Sequence, residues 1–175
     1  MQLETERLMI RAIAQQDEEN YQNLYQNPEV MLSYADGKPR STAGIRRTVE
    51  INIERWAKGN PFSCMTIEHK ASKDFMGSIF ISTYGREDNT GILGYLLLLK
   101  YWRQRYATEA VMAMFNEYLS QVNKGQYPEQ ITSVVAYASS LNVASVRILE
   151  KAGFQKINEV EKFGAKRNEY RLWLN

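Results

Sequence analysis

Cysteine and histidine are nearly missing from this 175-residue sequence, which has one of each, Cys64 and His69. A single thiol forms no intrachain disulfide, and with one imidazole it falls short of a zinc ligand set, so no metal is expected. The reducing cytoplasm is the expected compartment. An excess of one charge is also lacking: 22 Lys and Arg face 20 Asp and Glu, which leaves +2 and argues against the basic footprint of a nucleic-acid binder. Long apolar runs are missing too. The longest, Tyr95 to Leu99 with Ile92 and Leu93 just before it, is far shorter than the ~20 residues of a membrane span. The start, Met1-Gln2-Leu3-Glu4-Thr5-Glu6-Arg7, is charged where a signal peptide would be apolar, so no membrane partner is expected. The four prolines (Pro28, Pro39, Pro61 and Pro128) are scattered, and no repeat or linker divides the chain, which is read as one domain over 1–175.

What is present is ordinary globular composition, 44% hydrophobic and 24% charged, enough apolar material for one core. Leu8-Met9-Ile10-Arg11-Ala12 alternates as a strand, and Asp17 opens a short helix carrying Tyr21, Leu24 and Tyr25 before Asn27-Pro28. Ser41 or Thr42 caps a helix with Ile45, Val49, Ile53 and Trp56 on one face and Arg46, Arg47, Glu50 and Glu54 on the other, stopped at Gly59. Strand patterns follow over Phe62 to Glu68, Phe75 to Thr83 and Gly91 to Leu98, and the short polar turns between them favour an antiparallel meander. From Tyr106 to Val122 the period becomes helical, with Val111, Met114, Phe115, Tyr118, Leu119 and Val122 on one face. Ile131 to Tyr137 reads as a strand, Asn142 caps a helix that ends at Gly153, and Gln155 to Glu161 with Arg167 to Leu174 reads as a closing hairpin. Strand, helix, strand implies one parallel crossover. The expectation is an α/β (α+β) fold: a mixed, mostly antiparallel sheet of six to seven strands with flanking helices.

The junction between the strand ending near Leu98 and the helix starting near Ala107 offers free backbone N–H groups at the positive end of a helix. Arg103 and Arg105 add charge there, and Thr108 lies in the helix's first turn, which makes a diphosphate a suitable guest. Taken alone, such a turn is equally compatible with binding only water.

In order and spacing, four stretches resemble the GNAT superfamily of acyl-CoA-dependent acetyltransferases, in the branch similar to ribosomal-protein-alanine N-acetyltransferases. They are Leu3-Glu4-Thr5-Glu6-Arg7-Leu8; Asn27-Pro28-Glu29-Val30-Met31; Gly94-Tyr95 leading to Tyr101-Trp102-Arg103-Gln104-Arg105-Tyr106-Ala107-Thr108-Glu109-Ala110; and Asn142-Val143-Ala144-Ser145 followed by Leu149-Glu150-Lys151-Ala152-Gly153-Phe154. The resemblance implies two parallel strands that splay to admit pantetheine, with the pyrophosphate of acetyl-CoA on Arg103, Gln104, Arg105, Tyr106, Ala107 and Thr108. It implies a pantetheine contact for Asn142, a role for Ser145 in protonating the departing thiolate, and a backbone N–H near Leu97 or Leu98 polarising the thioester carbonyl.

Two departures stand out. The family turn usually reads Trp-Gly-x-Gly-Tyr-Ala; here both glycines are arginine, so a Cβ stands where positive φ or close phosphate approach is needed, while two guanidinium groups are gained. The family often has a glutamate two residues before Gly-Tyr, and here that slot is Ile92. Glu68, Glu87, Asp88 and Glu169 are the substitute carboxylate candidates for a general base, with Glu68 placed first, and each also reads as a plain solvated charge. His69 reads as a surface histidine and Cys64 as a small buried hydrophobe. Glu109 reads as a partner for Arg105 or solvent. Leu149 fills the slot where other branches carry a tyrosine acid, leaving Ser145 as the hydroxyl at hand; Ser145 reads equally as part of a helix cap. Tyr21, Tyr25, Tyr34, Trp56 and Tyr84 read as an acceptor groove or as core. The functional expectation is an N-acetyltransferase acting on a protein N-terminus or a small amine, as a monomer or homodimer. The competing reading is a non-catalytic acyl-CoA-binding or protein-interaction module. A nucleotide- or phosphosugar-binding protein is weaker, because no Walker or Rossmann glycine pattern occurs.

Overall fold

The computed structural model describes residues 2–32, 34–83, 89–124 and 131–174. In chain order the elements are β1 (Gln2–Glu4), β2 (Leu8–Ala12), α1 (Glu18–Tyr25), α2 (Pro28–Met31), α3 (Thr42–Ala57), β3 (Met65–His69), β4 (Phe75–Ser82), β5 (Thr90–Leu97), α4 (Tyr106–Ala113), α5 (Leu119–Asn123), β6 (Ser133–Ala138), α6 (Val143–Lys151), β7 (Gln155–Lys162) and β8 (Ala165–Trp173). A π turn over Met114–Tyr118 joins α4 to α5, so the single helix expected over 106–122 is continuous but widened in its middle. At that turn the fully buried Tyr118 donates its hydroxyl to the Pro61 carbonyl.

The described strands form one sheet in the order β1-β2-β3-β4-β5-β6-β8-β7. It has eight strands rather than six to seven: Gln2–Glu4 pairs with β2, a segment too short to alternate visibly but anchored by the fully buried Leu3. The expected strand start at Phe62 moves to Met65, because the Asn60 side chain accepts from the Phe62 N–H and Ser63 donates to the Asn60 carbonyl, closing a turn. Pro28 opens a one-turn helix rather than a break, since Asn27 accepts from the N–H groups of Glu29 and Val30.

All pairings are antiparallel except β5 with β6, which run parallel only over Thr90–Ile92 and Ser133–Val135. Beyond Ile92, β5 stays with β4 as far as Leu97, and beyond Val135, β6 stays with β8 as far as Ala138. Each strand keeps its outer partner, so the sheet forks between them. One core lies under α4, α5 and α6 and takes Leu93 and Leu97 of β5; the other lies under α1 and α3 and takes Leu96. The period-two alternation of β5 thus sends Tyr95 to the α6 face and Gly94 to the α1 face. Among the described residues, no helix is long and apolar enough to cross a membrane.

Candidate active site

The fork opens into a cleft of about 1070 Å³ bounded by β5, the first turn of α4 and the start of α6. Its described lining carries six cations, Arg40, Arg103, Arg105, Arg147, Lys151 and Arg167, and neither carboxylate nor imidazole. Of the ten cofactor-contact candidates, Leu97, Arg103, Arg105, Tyr106, Ala107, Thr108, Asn142 and Ser145 line it; Leu98 and Gln104 do not.

The turn into α4 answers the question raised by the missing glycines. Arg103 and Arg105 both adopt left-handed backbone, with φ of 59° and 67°, so the turn keeps the shape that glycine would supply and places two L-residues in it. Arg105 is the N-cap, and no side chain caps the helix. The Glu109 N–H is the first to reach back, to the Arg105 carbonyl at 3.0 Å, leaving the N–H groups of Tyr106, Ala107 and Thr108 without intrahelical acceptors. Both arginine side chains are exposed at the cleft mouth. The turn is pinned from outside. Arg7 pairs with Glu109 at 2.7 Å, donates to the Gln104 carbonyl at 3.2 Å and stacks 4.2 Å above the Tyr106 ring. Thr5 donates to the same Glu109, and the Arg7 backbone N–H adds a third contact. Burial works to raise the Glu109 pKa, but these donors outweigh it and hold the carboxyl below its usual range. Glu109 therefore serves Arg7 rather than Arg105, which gives the Leu3-to-Leu8 stretch a physical role. Gln104 turns away from the cleft, its side chain donating to the Lys100 carbonyl at 2.7 Å.

On β5 the two oxyanion candidates separate. The Leu98 N–H donates to the Met76 carbonyl at 2.9 Å, which makes Gly77 and Leu97 a non-hydrogen-bonded pair and turns the Leu97 N–H toward the fork. Two glycines shape this edge. A Cβ on Gly77 would stand 2.0 Å from the Leu96 carbonyl oxygen, and one on Gly94 would stand 2.3 Å from the Phe80 ring. Gly94 therefore makes room for Phe80, which borders both the cleft and a smaller cavity of about 370 Å³. That cavity lies between α1, α3 and β4 and takes Tyr21, Tyr25 and Tyr34 in its walls, whereas Trp56 packs against the core with its indole N–H on the Cys64 carbonyl. Tyr34, Arg40, Phe80 and Ser82 line both spaces, so the two adjoin. Tyr84 lies outside the described residues.

Asn142 caps α6, its side-chain oxygen accepting from the Ser145 N–H at 3.1 Å. The Ser145 hydroxyl is not the one hydroxyl at hand, because the Tyr95 phenol sits 2.8 Å from it. This pair went unseen in the sequence, where Tyr95 stood only as half of a Gly-Tyr motif fifty residues away.

The substitute bases fare differently. Glu68 is held by Arg11 at 2.5 Å within a cluster that includes Asp17, and it does not line the cleft. Glu169 pairs with Arg171, and His69 accepts from the Ser72 N–H at the end of β3. Glu87 and Asp88 lie outside the described residues. Ile92 lines the cleft and supplies no proton acceptor. Cys64 is buried, and burial pushes its thiol up to about 11, which makes it a poor nucleophile.

Known proteins share this architecture. Over 163 residues, 92% of this chain and 89% of the other, the sequence is 27% identical to the uncharacterised protein YkkB of Bacillus subtilis. The structure of RimL, a ribosomal L7/L12 alpha-N-protein acetyltransferase in complex with coenzyme A, superposes with a TM-score of 0.80 at 16% identity, covering 99% of this chain and 98% of its own. Spermidine N-acetyltransferase from Vibrio cholerae, in complex with CoA and spermine, gives 0.75 at 15% identity over 97% and 96%. The family model for the acetyltransferase (GNAT) domain matches residues 7–155, a span that holds the forked strands and the whole turn into α4, and the chain belongs to the GNAT acetyltransferase family.

Proposed function

We propose that the protein transfers an acetyl group from acetyl-CoA to a primary amine by direct attack, with the amine a protein or peptide N-terminus. The fork carries this reading: it offers an extended slot flanked by the Leu97 N–H and ends at an uncapped, cationic helix start. The N–H groups of Tyr106, Ala107 and Thr108, with Arg103 and Arg105, suit the diphosphate. The Asn142 side-chain NH2 is left to meet a pantetheine carbonyl while its oxygen caps α6. The Leu97 N–H stands as a one-donor oxyanion site.

The choice of amine follows from what the lining lacks. No carboxylate or imidazole stands among the described lining residues, and on this reading the acceptor arrives neutral. An α-amino group with a pKa of ~8 is about 9% neutral at pH 7, whereas an alkylamine of pKa ~10.4 is neutral in only about 0.04% of molecules, a difference of roughly 230-fold. The adjoining cavity beside Tyr34 and Phe80 is this reading's approach for the acceptor. The test is calorimetric titration with acetyl-CoA, with desulfo-CoA as control, followed by kcat/KM against pH for alanine-initiated peptides and for spermidine. The peptide rate should climb with unit slope and level near pH 8, while the spermidine rate keeps rising. A plateau below pH 7 for both acceptors would reveal an enzymic base and refute the argument. The competing reading, a non-catalytic acyl-CoA-binding or protein-interaction module, draws on Ile92 in the glutamate slot and requires binding without turnover, or no binding.

A further inference from the structure

Tyr95 lies three residues beyond the last parallel pair, on the α6 face of β5, so its side chain crosses the narrow end of the fork. Its phenol meets the Ser145 hydroxyl at 2.8 Å, and both residues line the cleft. Ser145 is fixed independently, in the first turn of α6, by its N–H on Asn142. The pair therefore joins the two strand-helix units that the fork separates.

Resting on the transferase reading, we propose that Tyr95 is a positioning residue: its phenol donates to the Ser145 oxygen and so leaves the Ser145 hydrogen to be donated to the sulfur that departs from the acetyl group. The direction follows from chemistry. A phenol is the stronger hydrogen-bond acid of the two hydroxyls, and a serine hydroxyl that accepts one bond still has its own hydrogen to give. Burial pushes the phenol up to about 12, so it stays protonated, and stays a donor, throughout the working pH range.

The same comparison limits what the pair supplies. An alkyl thiol titrates near ~8.5, well below this phenol, so the pair offers the thiolate a hydrogen bond rather than a proton. In the transfer, the N–C bond forms and the C–S bond breaks; the nitrogen gives up one proton to solvent and the sulfur takes one from it. The Tyr95–Ser145 pair returns to its starting state without net exchange.

The test reads the sulfur directly and needs no acceptor. Ultraviolet thiolate absorbance of CoA bound to the protein is titrated against pH, with the desulfo-CoA complex as blank, for the wild type, Tyr95→Phe, Ser145→Ala and the double variant. Tyr95→Phe keeps the ring and its packing. The bound thiol should become about tenfold less acidic in either single variant, in keeping with loss of a hydrogen bond to a charged group, and the double variant should match the singles. CoA affinity of Tyr95→Phe by calorimetry at pH 6, where the thiol is neutral, should stay within about twofold, and in any acetyl transfer kcat should fall with KM unchanged. CoA bound with the same thiol pKa in wild type and Tyr95→Phe would overturn this inference and leave the transferase reading intact. Additive effects of the two substitutions would overturn the coupling. Failure of the wild type to bind CoA would overturn the transferase reading and this inference with it.

Discussion

Replacing Arg103 and Arg105 with glycine sets stability against affinity, and the two signs are opposite. Both arginines stand at positive φ, 59° and 67°, in a conformation that costs an L-residue about 1–2 kcal/mol. Glycine removes that cost but adds about 0.5–1 kcal/mol of backbone entropy in the unfolded chain, so each substitution should stabilise by roughly 0 to 1.5 kcal/mol. At about 2–4 °C per kcal/mol for a chain of this size, the double variant should melt up to about 12 °C higher. Acetyl-CoA binding should move the other way. Each exposed guanidinium facing a phosphate is worth about 1 kcal/mol after solvent screening, so the dissociation constant should rise about fivefold per site and about thirtyfold for both. Differential scanning calorimetry gives the first quantity and isothermal titration the second, repeated at high salt, where the wild-type advantage should shrink. A lower melting temperature would refute the strain argument. Unchanged affinity would show that the two side chains point away from the cofactor and that backbone N–H groups alone hold it.

Two further substitutions probe the supports of the site. Arg7→Met removes the ion pair to Glu109, the bond to the Gln104 carbonyl and the contact with the Tyr106 ring, so acetyl-CoA should bind about five- to tenfold more weakly while KM for the acceptor is unchanged; equal weakening of both would mean a general loss of structure. Asp17 is 2% exposed and meets Arg11 at 2.8 and 2.7 Å, the Ala14 N–H at 2.8 Å and the Thr66 hydroxyl at 3.0 Å. Burial works to raise its pKa, but these donors prevail and hold it below the ordinary carboxylate value. A depressed folded pKa gives stability that is fully present above the unfolded value near ~3.9 and is lost as pH falls through the folded one. Asp17→Asn should therefore destabilise by about 3 kcal/mol at pH 7 and show a shallower loss of stability in acid, measured by urea unfolding between pH 2 and pH 7; an acid limb as steep as that of the wild type would refute the assignment.

Local signals were legible wherever the physics is local. The alternation of Leu8 to Ala12, the Ser41 cap and Gly59 stop of α3, the helical period from Tyr106 and the Asn142 cap all recur in the structure, because each rests on hydrogen bonds or side-chain spacings within a few residues. The β1 edge strand and the strand start at Met65 were not legible: three residues carry no period, and the Asn60 turn competes with strand pairing only once the chain is folded. The site divides in the same way. The cationic turn and the Ser145 helix start were readable as motifs, while the left-handed backbone of Arg103 and Arg105 ran against residue type and required the surrounding structure to impose it.

The sequence by itself determined most of the elements, their order and the resemblance to the family, since periodicity, caps and motif spacing are properties of neighbouring residues. Tertiary structure alone decided which groups are free to act. Glu68 is consumed by Arg11 on β2, Glu109 is taken by Arg7 across 102 residues, the Leu98 N–H is taken by Met76 while that of Leu97 turns to the fork, and Tyr95 meets Ser145 across a gap that exists because β5 and β6 keep their outer partners. Charges and hydroxyls pair through space over a few ångströms, and the chain separation between partners carries no trace of that distance.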